Sequence, residues 1–275
     1  MQIIIMEVRL VKDKKTILQV ANIIALILTI LINFLANALP INGKTTAEVS
    51  GLYPTLFTPA GITFAIWGLI YLLLAAFIVY QGRDLLTYKK VEMPFLSQIG
   101  WWFVAASAFN IVWIIAWHYE AILLSLVIII ALLLTLIIIY LKLGIGKSVK
   151  NRMEKYLVHI PFSIYLGWIT VATAANTAVY LVKINWIQSV SAEVFWTVIV
   201  ILFSTALAIK VLLAKKDIFY ILVILWAFLG IIIKRLSAPG EPKWIIVFTL
   251  VICILAILSV VFSIFKDNKR FSFLN

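Results

Sequence analysis

One cysteine, two histidines and eleven acidic residues are all that this chain of 275 residues holds of several side chains that chemistry commonly uses. Cys253 has no intrachain partner, so a disulfide framework is excluded and redox chemistry is not indicated. His118 and His159 fall at opposite ends of the predicted helices, which excludes a shared metal, and no metal site is expected. The predicted topology brings no Ser, His and acid together, and no glycine-rich phosphate loop follows a strand. A catalytic residue is therefore not assigned, and an enzyme is not expected. Glu48, Glu120, Glu193 and Glu241 lie in external loops or at helix ends, while Glu7, Asp13, Asp84, Glu92, Glu154, Asp217 and Asp267 are cytoplasmic or juxtamembrane. With no ionisable group deep in an apolar run, a proton- or ion-coupled pump is disfavoured. The chain also lacks an internal repeat, an inverted pair of interrupted helices and a low-complexity tail, which weakens a secondary-transporter reading.

What the chain has in excess is apolar surface. Hydrophobic residues make up 65% of it, against about 45–50% in soluble domains. Long apolar runs fall near 17–39, 59–80, 95–117, 121–143, 157–182, 193–213, 217–234 and 243–265. Each is close to or above the ~20 residues that cross ~30 Å of hydrocarbon as a helix. The expectation is an all-α, polytopic membrane bundle of about eight transmembrane helices. The division near 214–217 is the weakest, and a hairpin over 193–234 would remove two crossings. The formal charge of +12 would suggest nucleic acid in a soluble domain, but here the basic residues punctuate apolar runs and set topology instead. No nucleic-acid partner is expected.

Eighteen basic residues cluster on one side: Arg9, Lys12, Lys14, Lys15, Arg83, Lys89, Lys90, Lys142, Lys147, Lys150, Arg152, Lys155, Lys210, Lys215, Lys216, Lys266, Lys269 and Arg270. The alternate loops hold five, Lys44, Lys183, Lys234, Arg235 and Lys243. By the positive-inside rule both termini are cytoplasmic, and the expected location is the cell membrane. A cleaved signal peptide ending near Ala36-Asn37-Ala38 is the competing reading, but the apolar run before it exceeds the usual ~7–15 residues.

The external loop 40–58 carries Pro40, Gly43, Gly51 and Pro54 together with Leu52, Tyr53, Leu56 and Phe57. So much apolar surface suits a lid over the helix ends better than a solvated connector. Beneath it, Asn33, Asn110 and Asn176 lie ~9–10 Å and Trp67 ~12 Å inside the external helix ends, counting about 1.5 Å per residue. Trp67 and Tyr71 share a helical face, as do Trp113 and Trp117, and Tyr165 and Trp168 are three apart. The asparagines alone could simply hold helices together, since an amide turns from lipid toward protein. Trp67, Tyr71 and Trp168 are too deep to be interfacial anchors, whereas Trp117, Trp186, Trp196 and Trp244 fit that role. Flat rings beside a few amides form a slot for a flat, mostly apolar ligand. Gly61, Ala65 and Gly68, and Thr170, Ala174 and Ala178, are expected to let helices approach closely. Leu85-x-x-Tyr88-x-Lys90 meets a proposed cholesterol pattern of low specificity.

At these residues the chain resembles the TspO/MBR family, the tryptophan-rich sensory proteins that include the mitochondrial translocator protein, or peripheral benzodiazepine receptor. Pro59 to Tyr71 is similar to that family's proline-containing entry into its second helix, Asn110-x-x-Trp113 to its third-helix pair, and Tyr165-x-x-Trp168-x-x-x-Ala172-x-x-x-Asn176 to its fifth-helix pattern. Ala60 replaces a second proline, and Ile164 stands where the family has a proline before the tyrosine. The resemblance covers about residues 17–186 and implies a five-helix bundle binding a tetrapyrrole, a sterol-like lipid or a benzodiazepine-type compound.

Carried over, it nominates Trp67, Tyr71, Asn110, Trp113, Tyr165, Trp168, Ala172 and Asn176 as ligand-binding residues, with Asn33 added on its depth. No cofactor is required, and porphyrin or haem enters as ligand. The expected organisation is a core over 1–186 and three further transmembrane helices over 187–275. Membrane lipid and a small hydrophobic ligand are the expected partners, and a homodimer is left open. The leading expectation is a sensor or carrier. The alternatives are a transporter or permease completed by the last three helices, and a structural membrane protein.

Overall fold

The computed structural model describes residues 2–39, 41–88, 91–147, 151–237 and 243–272; Pro40, Lys89, Lys90, Lys150 and Glu241, named above, lie outside them. Among the described residues the chain is helical and contains no strand. In hydrocarbon every backbone N–H and C=O must find its partner within the protein, and an apolar run satisfies this alone only as a helix. All eight runs became helices: α1 (Gln2–Ala38), α3 (Ile66–Gly82), α5 (Trp102–His118), α6 (Ile122–Lys142), α8 (Ile160–Lys183), α9 (Val190–Lys215), α10 (Ile218–Ser237) and α11 (Lys243–Ser272). The division near 214–217 is a true turn between α9 and α10. Three short helices complete the chain, α2 (Thr46–Leu52), α4 (Pro94–Ile99) and α7 (Arg152–Glu154). Seven of the helical segments are long and apolar enough to cross a membrane, and α5 is a shorter apolar helix. The protein is a multi-pass membrane bundle.

Local chemistry explains the interruptions. Pro94 opens α4, where its missing N–H costs nothing. Gly100 then closes that helix at φ +53°, a backbone that glycine adopts freely. The third run is thereby cut, and α5 keeps 17 residues, about 25 Å at 1.5 Å per residue. A 3-10 turn over Gly61–Ala65 leads into α3. A single π turn over Lys155–His159 precedes Pro161, which has no N–H to offer the regular ladder. Between α9 and α10, Lys216 takes the left-handed conformation and Asp217 caps α10 by accepting from the N–H groups of Phe219 and Tyr220.

Helix α5 packs against α1 and α6, α6 against α8, and α3 against α1 and α8. Helix α10 joins this group through α8, and α9 and α11 pack on each other and on α10. Large apolar side chains such as Leu72, Val79, Ile252 and Phe262 face outward, as surfaces solvated by lipid do. Lipid gives helices no hydrophobic reason to associate, so close packing and polar contacts must hold them together. Gly167 and Gly230 provide two close approaches. A Cβ on Gly230 would meet Thr63 Oγ1 at 2.0 Å, and one on Gly167 would meet Val223 Cβ at 3.0 Å. Around the first contact, the Ala60 N–H donates to the Gly230 carbonyl at 2.9 Å and Trp226 Nε1 to the Thr63 carbonyl at 3.0 Å. The expectation for Gly61 and Gly68 fails, because both are exposed and nothing lies within 4 Å of an added Cβ. Ala65 is exposed too, so that face of the helix is a lipid surface.

A buried polar network ties the basic-rich end of α1 to that of α3. Gln19 donates to Asp84 Oδ1 at 2.8 Å, Asn22 to Gln81 Oε1 at 2.9 Å, and Gln81 to the Gln19 carbonyl at 3.1 Å. Lys15 forms an ion pair with Asp84. Burial alone would raise the Asp84 pKa, but the Lys15 ammonium, the Val91 N–H and the Gln19 amide outweigh it and hold the carboxyl at about 2.

Candidate functional site

Trp67, on the first turn of α3, is the hub of an aromatic cluster. Its ring stacks on Tyr71 at 5.6 Å, lies tilted against Trp113 at 5.9 Å, and meets Tyr165 and Trp168 edge-on at 6.2 Å each. Phe64 meets Trp168 edge-on at 6.0 Å, and Trp113 stacks on Trp117 at 6.3 Å. These separations fall in the range where aromatic pairs attract beyond their area burial. Helical spacing makes the cluster. Trp67 and Tyr71 sit one turn apart on α3, Trp113 and Trp117 one turn apart on α5, and Tyr165 and Trp168 three apart on α8.

A small cavity of about 40 Å³ lies inside this cluster, lined by Trp67, Trp113, Trp117, Trp168, Ala172, Asn176 and residues of the 46–64 segment. Five of the nine nominated residues thus line it: Trp67, Trp113, Trp168, Ala172 and Asn176. Tyr71, Asn110, Tyr165 and Asn33 sit outside the lining. Asn33 Nδ2 donates to Asn110 Oδ1 at 2.7 Å and to the Thr29 carbonyl at 2.9 Å, and Asn110 Nδ2 donates to the Tyr165 hydroxyl at 3.0 Å. This chain bonds α1, α5 and α8 together. Asn176 does not join it. Its amide pairs with Ser125 Oγ of α6 at 3.1 Å, so the three asparagines form two separate contacts. The indole N–H groups of Trp113 and Trp168 and the Tyr71 hydroxyl are buried without a hydrogen-bond partner among the described residues. Buried Trp and Tyr usually place these polar ends on an acceptor.

The 41–58 segment roofs the cavity. Val49, Leu56 and Phe57 are buried, while Leu52 is exposed and Tyr53 half-buried, so the loop is a packed lid. Thr45 and Glu48 form a reciprocal capping box that starts α2. Trp117 Nε1 donates to the Thr46 carbonyl at 3.2 Å, and Asn42 to the His118 carbonyl at 3.0 Å. Trp117 is therefore buried at 5% exposure and holds the lid, which corrects its reading as an interfacial anchor. Two carboxylates finish the attachment. Glu120 accepts from Lys44 at 2.7 Å and Tyr53 at 3.1 Å, and Glu193 accepts from the Leu56 N–H at 2.8 Å. Lys44 first, then Tyr53, lower the Glu120 pKa below the usual carboxylate range. Burial, and then the neighbouring Glu120, raise that of Tyr53.

On the other side of α8 a roomier cleft of about 470 Å³ runs between α8 and α9. Thr170, Thr173, Ala174, Thr177 and Ala178 of α8 and Trp196, Val200 and Phe203 of α9 line it, under Thr55 and Phe57 of the lid. Thr170, Ala174 and Ala178, expected to bring helices close, instead leave this space open. Trp196 lines the same cleft, whereas Trp186 and Trp244 stay well exposed. Sequence reasoning missed Gln19, Asn22 and Gln81. For Gln19 and Asn22 the signal was polar side chains three apart in one apolar run. It also missed the burial of Asp217, which accepts from Ser163 at 2.7 and 2.6 Å and from Tyr140 at 2.8 Å. Among the described residues no group of three metal-ligating side chains occurs.

The chain belongs to the family described as TSPO-like protein, whose model matches residues 19–263. The match therefore runs past residue 186, through α9 and α10 and into α11. Comparison with curated proteins and with solved structures gave no match. In general terms this family places the chain among membrane-embedded binding or transport proteins.

Proposed function

We propose that the protein is a membrane-embedded sensor or carrier that binds a flat hydrophobic ligand, such as a tetrapyrrole or a sterol-like lipid, in the aromatic slot beneath the lid. The observation that carries this reading is the convergence of Trp67, Trp113 and Trp168 on one cavity, with two of the three indole N–H groups buried and unpaired. Rings give a flat apolar molecule its contact area, and free donors give its polar edge an acceptor's place. The cavity of about 40 Å³ is far below the ~300–1,000 Å³ of ligand sites. Binding thus requires the lid to lift and the rings to part, and the polar tethers at Trp117, His118, Glu120 and Glu193 are what must yield. The ligand site is assigned to residues 1–186, with both termini cytoplasmic and the bundle in the cell membrane.

The test is Trp quenching by protoporphyrin IX in detergent-solubilised protein. Saturable quenching in the wild type, weakened in both Trp67→Phe and Asn176→Ala, is the expected result. Equal quenching of all three proteins, or none that saturates, sinks the proposal. The cleft of about 470 Å³ between α8 and α9 favours a second reading, in which the last three helices complete a path for a small hydrophobic solute. Solute accumulation in proteoliposomes, against saturable binding without flux, separates the two.

A further inference from the structure

At the basic-rich end of the bundle, a second cleft of about 440 Å³ lies where the α6–α7 connection meets the α9–α10 turn. Four lysines line it from three places in the fold: Lys147 beyond α6, Lys155 on the π turn, and the consecutive Lys215 and Lys216 where α9 ends. None of the four ammonium groups has a carboxylate partner among the described residues. The one acid in the lining is Asp217, and it is 6% exposed. Its two oxygens already accept from Ser163, Tyr140 and the N–H groups of Phe219 and Tyr220. Glu154 neighbours Lys155 in sequence but does not line the cleft.

The backbone holds these lysines together. Gly146 has φ +96°, and a Cβ placed on it would lie 2.4 Å from the Lys215 carbonyl oxygen. No other residue fits there, so the α6–α7 connection is pressed against the end of α9. Lys216 takes φ 52°, a conformation that glycine or asparagine adopts at less cost. Orientation of a membrane protein needs positive charge near helix ends, but it does not need four lysines around one space. Like charges gathered there repel until an anion joins them. Ile145, Ile160, Ile218 and Phe219 add apolar lining, which suits an anion carried on a hydrophobic body.

We propose that this cleft binds a phosphate-bearing anion, its oxygens held by Lys147, Lys155, Lys215 and Lys216 and its apolar part resting on Ile218 and Phe219. The source is an anionic phospholipid headgroup or a free phosphate, and the site is separate from the aromatic slot. Delipidated protein is titrated with phosphatidylglycerol, phosphatidylcholine or inorganic phosphate, and the thermal midpoint is followed by Trp fluorescence. Phosphatidylglycerol is expected to raise the midpoint saturably, with an apparent Kd at least tenfold weaker in Lys155→Gln/Lys216→Gln. Lys142→Gln/Lys210→Gln, on basic residues of the same side outside the cleft, is expected to match the wild type. Should the first pair not fold, the single changes Lys147→Gln and Lys216→Gln, both at exposed side chains, read the same response. A lysine-dependent shift by inorganic phosphate that competes with the lipid identifies the free anion as source, and its absence identifies the headgroup. An equal response to phosphatidylcholine, or cleft variants indistinguishable from wild type, overturns the proposal.

Discussion

Replacing Gly230 by Ala puts the packing argument at risk, because two effects of opposite sign compete at one residue. In a helix interior the change from Gly to Ala is worth about 1 kcal/mol in favour of Ala. The added methyl, however, meets Thr63 Oγ1 at 2.0 Å, Thr63 Cγ2 at 2.9 Å and Thr63 Cβ at 3.0 Å. Thr63 is fully buried and branched at Cβ, so no rotamer takes all three atoms away. Overpacking of this kind costs about 1–3 kcal/mol, and a contact this deep belongs at the upper end. The net expectation is a loss of about 2 kcal/mol, or a midpoint lower by about 4–8 °C for a chain of this size. The assay is thermal and SDS unfolding followed by Trp fluorescence. Thr63→Ala alone removes a buried hydroxyl with no partner among the described residues and should be nearly neutral. Combined with Gly230→Ala it should recover at least half of the loss, since only the 3.0 Å contact remains. A Gly230→Ala protein as stable as wild type, or a double variant that recovers nothing, refutes the reasoning.

Asn110→Ala should cost about 1 kcal/mol in SDS unfolding, because the Tyr165 hydroxyl loses its donor while Asn33 keeps the Thr29 carbonyl. Asp84, held at about 2 against 3.8, contributes stability that is fully present above pH ~4 and lost as pH falls through ~2, at most about 2 kcal/mol given screening at the membrane edge. Asp84→Asn should remove that acid limb from a stability profile against pH. Glu193→Ala should speed hydrogen exchange over residues 55–58 about tenfold, as loss of a charge-assisted bond to the Leu56 N–H requires, and Glu193→Gln should restore most of it. The Glu120 carboxyl is lowered by Lys44 and then Tyr53, so its hold on the lid is present above the ordinary carboxylate pKa and lost as pH falls through the lowered value. Exchange across 44–53 should rise on that acid side and stay flat in Glu120→Gln.

The eight membrane helices were legible because an apolar run in lipid has no other way to pair its backbone. Their interruptions were less so. Gly100 cuts the third run through a backbone choice that hydropathy does not register. The meeting of Asn33 and Asn110 followed from their equal depth along the helices, but depth carries no azimuth, and Asn176 turned to Ser125 instead. The same limit explains the glycines. Gly61 and Gly68 look like packing devices by spacing, yet they face outward, while Gly230 on α10 makes a tight approach to Thr63 in the 3-10 turn before α3. Trp117 looked like an anchor near a boundary until the lid was seen to cover it. Gln19 and Asn22 lie in the first apolar run and Gln81 at the end of the second. Only the pairing of α1 with α3 makes them one network with Asp84.

The contact between the entry of α3 and Gly230 also bears on the order of assembly. The Ala60 N–H finds its acceptor about 170 residues further along the chain, which at about 5–20 residues per second takes roughly 10–35 s to synthesise. By the end of that interval the first five crossings have been synthesised, with the start of α3 still lacking its α10 contact. Ribosome-bound chains ending after α8 should therefore expose Thr63 and its neighbours to labelling reagents, and chains that include α10 should protect them.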